Sequence, residues 1–257
     1  MTKVKIMGIV NVTPDSFSDG GQFFDAKKAI EHGLSLVEDG ADILDIGGQS
    51  TRPGYIEVSA EEEVKRIKPV IEGLRQKTNI PISIDTYFPM VAECALSLGA
   101  NIINDVRGFD VKGMLDVALR YSDSELVIMH SRPRKNELTV EEDLHQFFKE
   151  KYEECQKVGI ADNRIIFDPG IGFGKSLEEN IKILQQPELF RFKEYPLLYG
   201  VSRKRTIAHL IEEKRPLERD YASVAASLFS ATKGVEIVRV HQVKGMKDSL
   251  KVWNQLN

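Results

Sequence analysis

The sequence predicts an α/β protein that forms one domain over residues 1–257, an eightfold β/α barrel of the TIM type. Eight short apolar runs recur along the 257 residues, and each run ends at a polar residue or a glycine. The first of these endings, Asn11, and the last, His241, enclose seven steps of about 33 residues each. One strand, one helix and two short loops fill such a step, so each apolar run is expected to be a strand of the barrel.

The expected strands are rich in isoleucine and valine with little alternation, which is typical of parallel strands covered on both faces. In chain order they are VKIMGIV before Asn11, DILDI before Gly47, PISI before Asp85, NII before Asn104, ELVIM before His130, RIIF before Asp168, LLYGV before Ser202 and VEIVRV before His241. An open doubly wound sheet is the alternative arrangement. Eight strands without a change of composition between the two halves of the chain favour the closed barrel.

The segments between the strands have the periodicity and the end signals of helices. Helical segments follow three capping boxes, which are Ser59 with Glu62, Thr139 with Glu142 and Ser176 with Glu179. Another helix is expected to begin at about Asp25, and Pro89 fits the first turn of a further one. Left-handed helix ends are expected at Gly40, Gly99 and Gly234, just before the strands that follow them.

Composition narrows the range of partners. The formal net charge of −4 gives no electrostatic reason to expect binding to nucleic acid or to an anionic membrane. MTKVKIMGIV leads directly into the first strand, so neither a signal peptide nor a membrane span is expected. Cys94 and Cys155 lie in separate expected helices and are interpreted as free thiols of a reducing compartment. We therefore expect a cytoplasmic protein.

Barrel enzymes carry their reacting groups at the C-terminal ends of the strands, and short polar residues stand at three of these ends. Asp85, Asn104 and Asp168 follow strands three, four and six, and Lys204 follows strand seven. Buried carboxylates are costly without partners, so Asp85 and Asp168 are expected to bind the donor edge of a polar heterocycle or to offset positive charge in a transition state. Helix capping is the alternative role; for Asp168 the intervening PGIG sequence argues against it.

Basic residues in the loops indicate a phosphate ester or diphosphate as a substrate group. These residues are Arg52, Lys175, Arg203, Lys204, Arg205 and Arg239. Ordinary solvated loop charges are the alternative. The alternation in VRVH places Arg239 and His241 on one side of strand eight, as an anion clamp requires. The loops at residues 11–21 and 47–54 are expected to close over this anion, with Asn11 directed into the barrel mouth.

Other nucleotide and hydrolase motifs are absent. GIGFGKS has Pro169 where a P-loop needs its first glycine, and Lys175 takes the last glycine position of a dinucleotide fingerprint. The histidines form neither HxH nor HExxH, which argues against a zinc hydrolase, and GxSxG does not occur. A Schiff base at Lys204 is chemically feasible, but its position between two arginines favours a role as a hydrogen-bond donor.

Seven segments, taken together, resemble the signature segments of the dihydropteroate synthase family. They are NVTPDSFSDGG, GGQSTRPG, SIDT, NIINDV, FDPGIGFGK, SRKR and RVHQV, in this order from Asn11 onward. The resemblance implies condensation of 7,8-dihydropterin-6-ylmethyl diphosphate with 4-aminobenzoate to 7,8-dihydropteroate and diphosphate, a step of folate biosynthesis. It also implies Mg²⁺ as the metal, a homodimer, and the two small-molecule substrates as ligands.

The resemblance also implies roles for individual residues. Asp85, Asn104, Asp168 and Lys204 would hold the pterin ring, and Asp85, Asp168 and Lys204 are the residues assigned to catalysis. Asn11 would coordinate the Mg²⁺ bound to the diphosphate. The phosphates would contact Thr51, Arg52, Arg239 and His241, and the aminobenzoate would lie beside Phe173, Ser202 and Lys204.

Three places depart from the family pattern. Gln49 stands where the family often has glutamate, Gln242 replaces the usual aspartate or asparagine, and the HSRPRKNE segment from His130 is unusual. Two other functions stay open at this point: a pterin-dependent methyltransferase barrel, and a pterin-binding relative without catalytic activity. The expected diphosphate clamp of Arg52, Arg239 and His241 argues against both.

Overall fold

Eight parallel strands form the centre of the molecule in a computed structural model, which describes residues 4–12, 21–49 and 57–256, with the backbone alone for 21–25. The strands are β1 (Lys5–Asn11), β2 (Ile43–Gly47), β3 (Ile82–Asp85), β4 (Ile102–Asp105), β5 (Glu125–Met129), β6 (Ile165–Asp168), β7 (Leu198–Tyr199) and β8 (Ile237–Val240). Their order in the sheet is β6-β5-β4-β3-β2-β1-β8-β7. A parallel bridge between Phe167 and Leu197 joins the two ends of this order. All eight apolar runs are therefore strands, and the barrel prediction is confirmed.

Helices connect successive strands. Within the described ranges they are α1 (Gly21–Glu38), α2 (Ala60–Arg75), α3 (Pro89–Ser97), α4 (Met114–Arg120), α5 (Val140–Val158), α6 (Leu177–Gln185), α7 (Arg205–Ile211), α8 (Asp220–Thr232) and α9 (Val243–Leu256). Short 3₁₀ helices occur at Asp162–Arg164, Pro187–Phe190 and Pro216–Arg219. Of the described helices, none combines the length and the apolar character that a membrane crossing requires.

The predicted helix ends are largely confirmed. Thr139 and Ser176 form complete capping boxes at α5 and α6. At α2 the Ser59 side chain accepts a hydrogen bond from the Glu62 amide. The Glu62 carboxylate accepts from Arg66 Nε at 2.9 Å, and this ion pair replaces the second hydrogen bond of the capping box. The start expected for α1, about Asp25, was wrong: the helix already includes Gly21, because glycine is tolerated where a helix begins.

The three predicted left-handed helix ends are also present. Gly40, Gly99 and Gly234 have φ angles of 96°, 99° and 99°, a region that favours glycine. Pro89 occupies the first turn of α3, where its missing amide hydrogen costs nothing. Each of these residues therefore shortens the path from one barrel element to the next.

The barrel interior changes from apolar to polar along the strands. Its lower layer is a buried cluster from seven strands: Met7, Ile43, Ile102, Val127, Ile166, Leu198 and Ile237. Side chains on one face of a strand recur every two residues, so the next layer on four of these strands is Asp45, Asn104, Asp168 and Arg239. The apolar layer thus forms a dry floor beneath a polar site at the C-terminal ends of the strands.

Candidate active site

Arg239 on β8 lies at the centre of the polar layer. Its Nε donates to Asp45 Oδ2 at 2.6 Å, and its Nη2 donates to Asp85 Oδ2 at 2.7 Å. Asn104 Nδ2 lies 3.3 and 3.4 Å from the two carboxylate oxygens of Asp45. Four strands therefore contribute to one network of charge-assisted hydrogen bonds, in which each buried charge has a partner.

Burial has opposing effects on the charges of this network. It raises the pKa of Asp85, and the Arg239 guanidinium works against that rise. Burial lowers the pKa of Arg239, but the carboxylates of Asp45 and Asp85 outweigh it, so the net change is upward. With both carboxylates in hydrogen-bond contact, Arg239 stays charged. Asp85 Oδ1 is buried and has no hydrogen-bond partner among the described residues, so it is an acceptor available to a ligand.

Asp168 at the end of β6 and Lys204 after β7 extend the site beyond this network. Asp168 Oδ1 accepts the Gly170 amide at 2.7 Å, so its carboxylate shapes its own loop; it does not cap α6, which begins only at Leu177. Lys204 Nζ donates to Ile171 O at 2.6 Å and lies 4.6 Å from the centroid of the Phe173 ring. Burial lowers the pKa of Lys204 to about 8, and the Asp168 carboxylate opposes this.

Gly200 lies beside both cations. A Cβ atom at this position would lie 3.7 Å from Arg239 Cβ and 4.0 Å from Lys204 Nζ. Both side chains therefore approach the glycine that follows β7. The expected convergence of Asp85, Asn104, Asp168 and Lys204 on the barrel mouth is what the structure shows.

Ser202 and His241 form a second polar pair at the rim. Ser202 Oγ lies 2.9 Å from His241 Nδ1, and the His241 amide donates to Ser202 Oγ at 3.3 Å. Arg239 reaches inward to two carboxylates, whereas His241 contacts the serine. Sequence alternation predicted that Arg239 and His241 share one side of β8; it did not predict these different partners.

An apolar wall stands beside the polar groups. Tyr87, Val106 and Met129 form a buried cluster against which Phe173 packs. Tyr87 Oη donates to Glu57 Oε2 at 2.8 Å, which fixes the phenol ring at the barrel mouth. Phe173 is the partly exposed member of this wall, so a flat heterocycle could place one face on its ring while its edge meets the carboxylates of the barrel.

Of the predicted phosphate and metal ligands Asn11, Thr51 and Arg52, only Asn11 lies within the described residues. Asn11 is half-buried at the end of β1, beside Gly47 of β2. Thr51 and Arg52 lie outside the described residues, as do most of the two loops that were expected to close over the anion. In the described part of the chain, no three His, Cys, Asp or Glu side chains are grouped to hold a metal ion. Asn11 therefore offers one amide at this strand end, and its role as a metal ligand stays a prediction.

Two of the loop cations do not serve as free anion ligands. Arg203 pairs with Asp220 through Nε at 2.6 Å and Nη2 at 2.8 Å. Lys175 Nζ lies among backbone carbonyls and 3.0 Å from His130 Nδ1. Both cations therefore have polar partners within the fold, as Arg239 does, and the expectation that they gather around a phosphate stays a prediction.

Sequence reasoning missed two acidic residues of the site. Asp45 lies inside the apolar run DILDI, where only its spacing of two residues from Ile43 indicated an inward side chain. Glu63 of α2 is fully buried behind the end of β2, and its Oε2 lies 3.4 Å from Gln49 Nε2. Gln49, a departure from the family pattern, thus donates to a second buried acid.

Comparison with known proteins agrees with this geometry. The family model described as pterin-binding enzyme matches residues 7–241. Dihydropteroate synthase of Neisseria meningitidis serogroup B is 45% identical over 268 residues, covering 100% of this chain and 94% of that protein. A structure of Xanthomonas albilineans dihydropteroate synthase with 4-aminobenzoic acid has a TM-score of 0.94 at 42% identity, covering 99% and 93% of the two chains. A structure of the same enzyme with 7,8-dihydropteroate has a TM-score of 0.89 at 41% identity, covering 99% of this chain and 94% of that one.

Proposed function

The chain belongs to the pterin-binding enzymes, among the dihydropteroate synthases, and from this premise we propose how its own residues bind and join the two substrates. As a member of this group it is a transferase that condenses 7,8-dihydropterin-6-ylmethyl diphosphate with 4-aminobenzoate. The products are 7,8-dihydropteroate and diphosphate. The observation that carries the proposal is the convergence of Asp85, Asn104 and Asp168 above the apolar floor.

The pterin ring meets acceptors on one edge and a donor on the other. Its amino and ring N–H groups are donors that suit the free Asp85 Oδ1 and the Asp168 carboxylate. Its carbonyl suits the Lys204 ammonium, which donates to Ile171 O at 2.6 Å. Asn104, held against Asp45, adds an amide to the same edge. Unpaired buried acceptors discriminate strongly in favour of a ligand that brings the matching donors.

The diphosphate belongs at the rim, near Arg239 and His241. The Arg239 side chain keeps 20% of its surface exposed at the mouth, and His241 lies beside Ser202. Thr51 and Arg52 complete this clamp in the proposal, and Asn11 holds the Mg²⁺ that accompanies the diphosphate. When bound, Mg²⁺ neutralises charge on the leaving group. Mg²⁺ commonly keeps one or two protein ligands beside substrate phosphates, which matches a single amide at this strand end.

The reaction is a dissociative substitution without a covalent enzyme intermediate. The C–O bond to diphosphate breaks first, with the bonding electrons leaving on the diphosphate, which leaves positive charge on the pterin methylene. The amine nitrogen of 4-aminobenzoate then bonds to this carbon and releases one proton to water. Asp85 and Asp168 stabilise that charge, and Arg239 with His241 stabilises the departing anion. Fixed groups of this kind contribute about 3 kcal/mol each to transition-state stabilisation. Lys204 and Phe173, 4.6 Å apart, hold the aminobenzoate so that its amine faces the methylene carbon.

A homodimer is the proposed assembly. Large apolar side chains are exposed on α7, the following 3₁₀ helix and α8: Leu210, Ile211, Leu217, Tyr221 and Phe229. Tyr221 is 93% exposed and Leu217 is 71% exposed, which is unusual for a surface that faces only water. A second copy of this chain would cover that face. The free thiols of Cys94 and Cys155 fit the proposed cytoplasmic location.

The deciding experiment is a turnover assay that follows diphosphate release with 4-aminobenzoate as the acceptor, with and without Mg²⁺. Aminobenzoate-dependent release that requires Mg²⁺ is expected. A methyltransferase would release no diphosphate, and a non-catalytic pterin-binding relative would bind the pterin without any turnover. Either result would contradict the proposed chemistry.

A further inference from the structure

The loop between β6 and α6 carries two site residues and is folded tightly against β5. Gly170, with φ of 68°, donates its amide to Asp168 Oδ1, and the Phe173 amide donates to Gly170 O at 3.1 Å. A Cβ atom on Gly170 would lie 1.9 Å from His130 O, so loop and strand touch through backbone atoms. A shift of this loop would therefore move Asp168 and Phe173 together.

Lys175 joins the loop to the end of β5. Its Nζ lies 3.2 Å from Gly170 O and 3.1 Å from Phe173 O within the loop. On the strand side it lies 3.3 Å from His130 O and 3.0 Å from His130 Nδ1. An ammonium has three protons, so these four acceptors use its full donor capacity. Nothing remains for a phosphate, and the contacts describe a cross-link between two backbone segments.

His130 is held in one orientation. It is fully buried, its Nε2 lies 3.7 Å from Asp143 Oδ2, and its ring meets Phe147 edge-on at 4.9 Å. Burial lowers the pKa of His130 to about 3, and the Lys175 ammonium acts in the same direction. The imidazole is therefore neutral, with the proton on Nε2 facing Asp143 and the Nδ1 lone pair facing Lys175.

A buried lysine at this point is costly. Burial lowers the pKa of Lys175 to about 7, although the Asp168 carboxylate opposes the change. An apolar side chain of the same length would avoid that cost but could not bind four acceptors. What the buried ammonium provides is a fixed shape of the loop.

We propose that Lys175 and His130 are positioning residues for the condensation: the imidazole orients the ammonium, and the ammonium holds the loop so that Asp168 and Phe173 face the substrates. The inference rests on the proposed function, because Asp168 and Phe173 are the groups assigned there to the pterin and the aminobenzoate. Neither Lys175 nor His130 needs to touch a substrate for this effect.

Paired variants at both positions test the proposal. Lys175→Met keeps the chain length without donors, and His130→Leu removes the acceptor. His130→Asn keeps an acceptor close to the position of Nδ1. Loss of alignment costs on the order of 10²-fold in kcat/KM, so Lys175→Met and His130→Leu are expected to fall by about that factor while His130→Asn retains most activity. The double variant Lys175→Met/His130→Leu should be no worse than Lys175→Met alone, because the two residues act as a unit.

Leu250→Ala is the matched control, since it opens a cavity under α9, away from the loop. It should lower Tm without changing kcat/KM per folded molecule, and calorimetry with 7,8-dihydropterin should find its pterin affinity unchanged. The proposal is overturned if His130→Leu matches this control, or if His130→Asn and His130→Leu lose kcat/KM and pterin affinity equally. Failure of the proposed function would appear separately, as wild-type protein that releases no diphosphate; the pterin affinities of the same variants would then still test the positioning.

Discussion

Glu63 offers a test of the buried charges behind the site through the pH dependence of folding. The residue lies in α2 with none of its surface exposed, and burial raises its pKa to about 8, with the Asp85 carboxylate adding to the rise. At pH 7 the side chain is therefore a neutral acid. Glutamine has the same shape and no charge, so Glu63→Gln keeps the packing and removes the titration.

The magnitude follows from the two pKa values. In the unfolded chain the Glu63 carboxyl has its ordinary value of 4.5, so above that pH folding requires the uptake of a proton. Its folded-state pKa is raised, so its contribution to stability is fully present below 4.5 and is lost as the pH rises through about 8. Between these two pKa values, each rise of one pH unit lowers the free energy of unfolding by up to about 1.4 kcal/mol. Between pH 5 and pH 8, the free energy of unfolding of the wild type should fall by about 3 kcal/mol relative to that of Glu63→Gln.

Urea unfolding of both proteins at pH 5, 6, 7 and 8 measures this difference. Groups that do not interact with Glu63 titrate in both proteins and cancel in the comparison; Asp85, which interacts with Glu63, contributes to the difference. Glu61→Gln, an exposed change two residues earlier in α2, is the control and should differ from wild type by a constant amount over this range. Parallel curves for wild type and Glu63→Gln would refute the reasoning, as would a gap that narrows at high pH.

Three further predictions concern the site and the assembly. Asp168→Asn replaces an acceptor oxygen with a donor at nearly constant size, so kcat/KM should fall on the order of 10²-fold; near-normal kinetics in a folded variant would contradict the assignment. Arg239→Ala leaves Asp45 and Asp85 buried without their cation, so urea unfolding should show a loss of about 3–5 kcal/mol that Asp45→Asn partly restores. For Arg239→Ala, calorimetry should find a larger loss of affinity for the pterin diphosphate than for the bare pterin. Tyr221→Glu should give a particle of 29.0 kDa in light scattering, and an unchanged dimer would exclude this face as the interface.

The barrel could be predicted because its signals are local. A strand of two to seven residues and the helix that follows it each carry their own composition, period and end residues, as at Thr139, Ser176 and Gly99. Asp85, Asn104 and Asp168 were found in the same way, because each ends a strand and parallel strands bring such ends together. Positions set by backbone periodicity are therefore accessible from one sequence.

Partners across the barrel could not be predicted. Arg239 and Asp45 are separated by 194 residues along the chain, and no local pattern indicates that they meet. Lys175 and Arg203 resembled the other loop cations in sequence, yet one binds carbonyls and the other an aspartate. A cation binds the acceptors that the fold brings within about 3 Å of it. Its role therefore depends on the completed tertiary structure.

The charges in the barrel explain how one network serves both folding and the reaction. Asp45, Asp85 and Asp168 face two cations, Arg239 and Lys204, so the carboxylates are in excess within a buried space. Arg239 makes two of these carboxylates tolerable in the folded protein by binding both at once. The carboxylates are then already oriented when the pterin methylene becomes positive, so little reorganisation accompanies bond cleavage. Asp45 therefore acts on the reaction through Arg239 and Asn104, and Asp45→Asn alone should disturb the positions of both side chains.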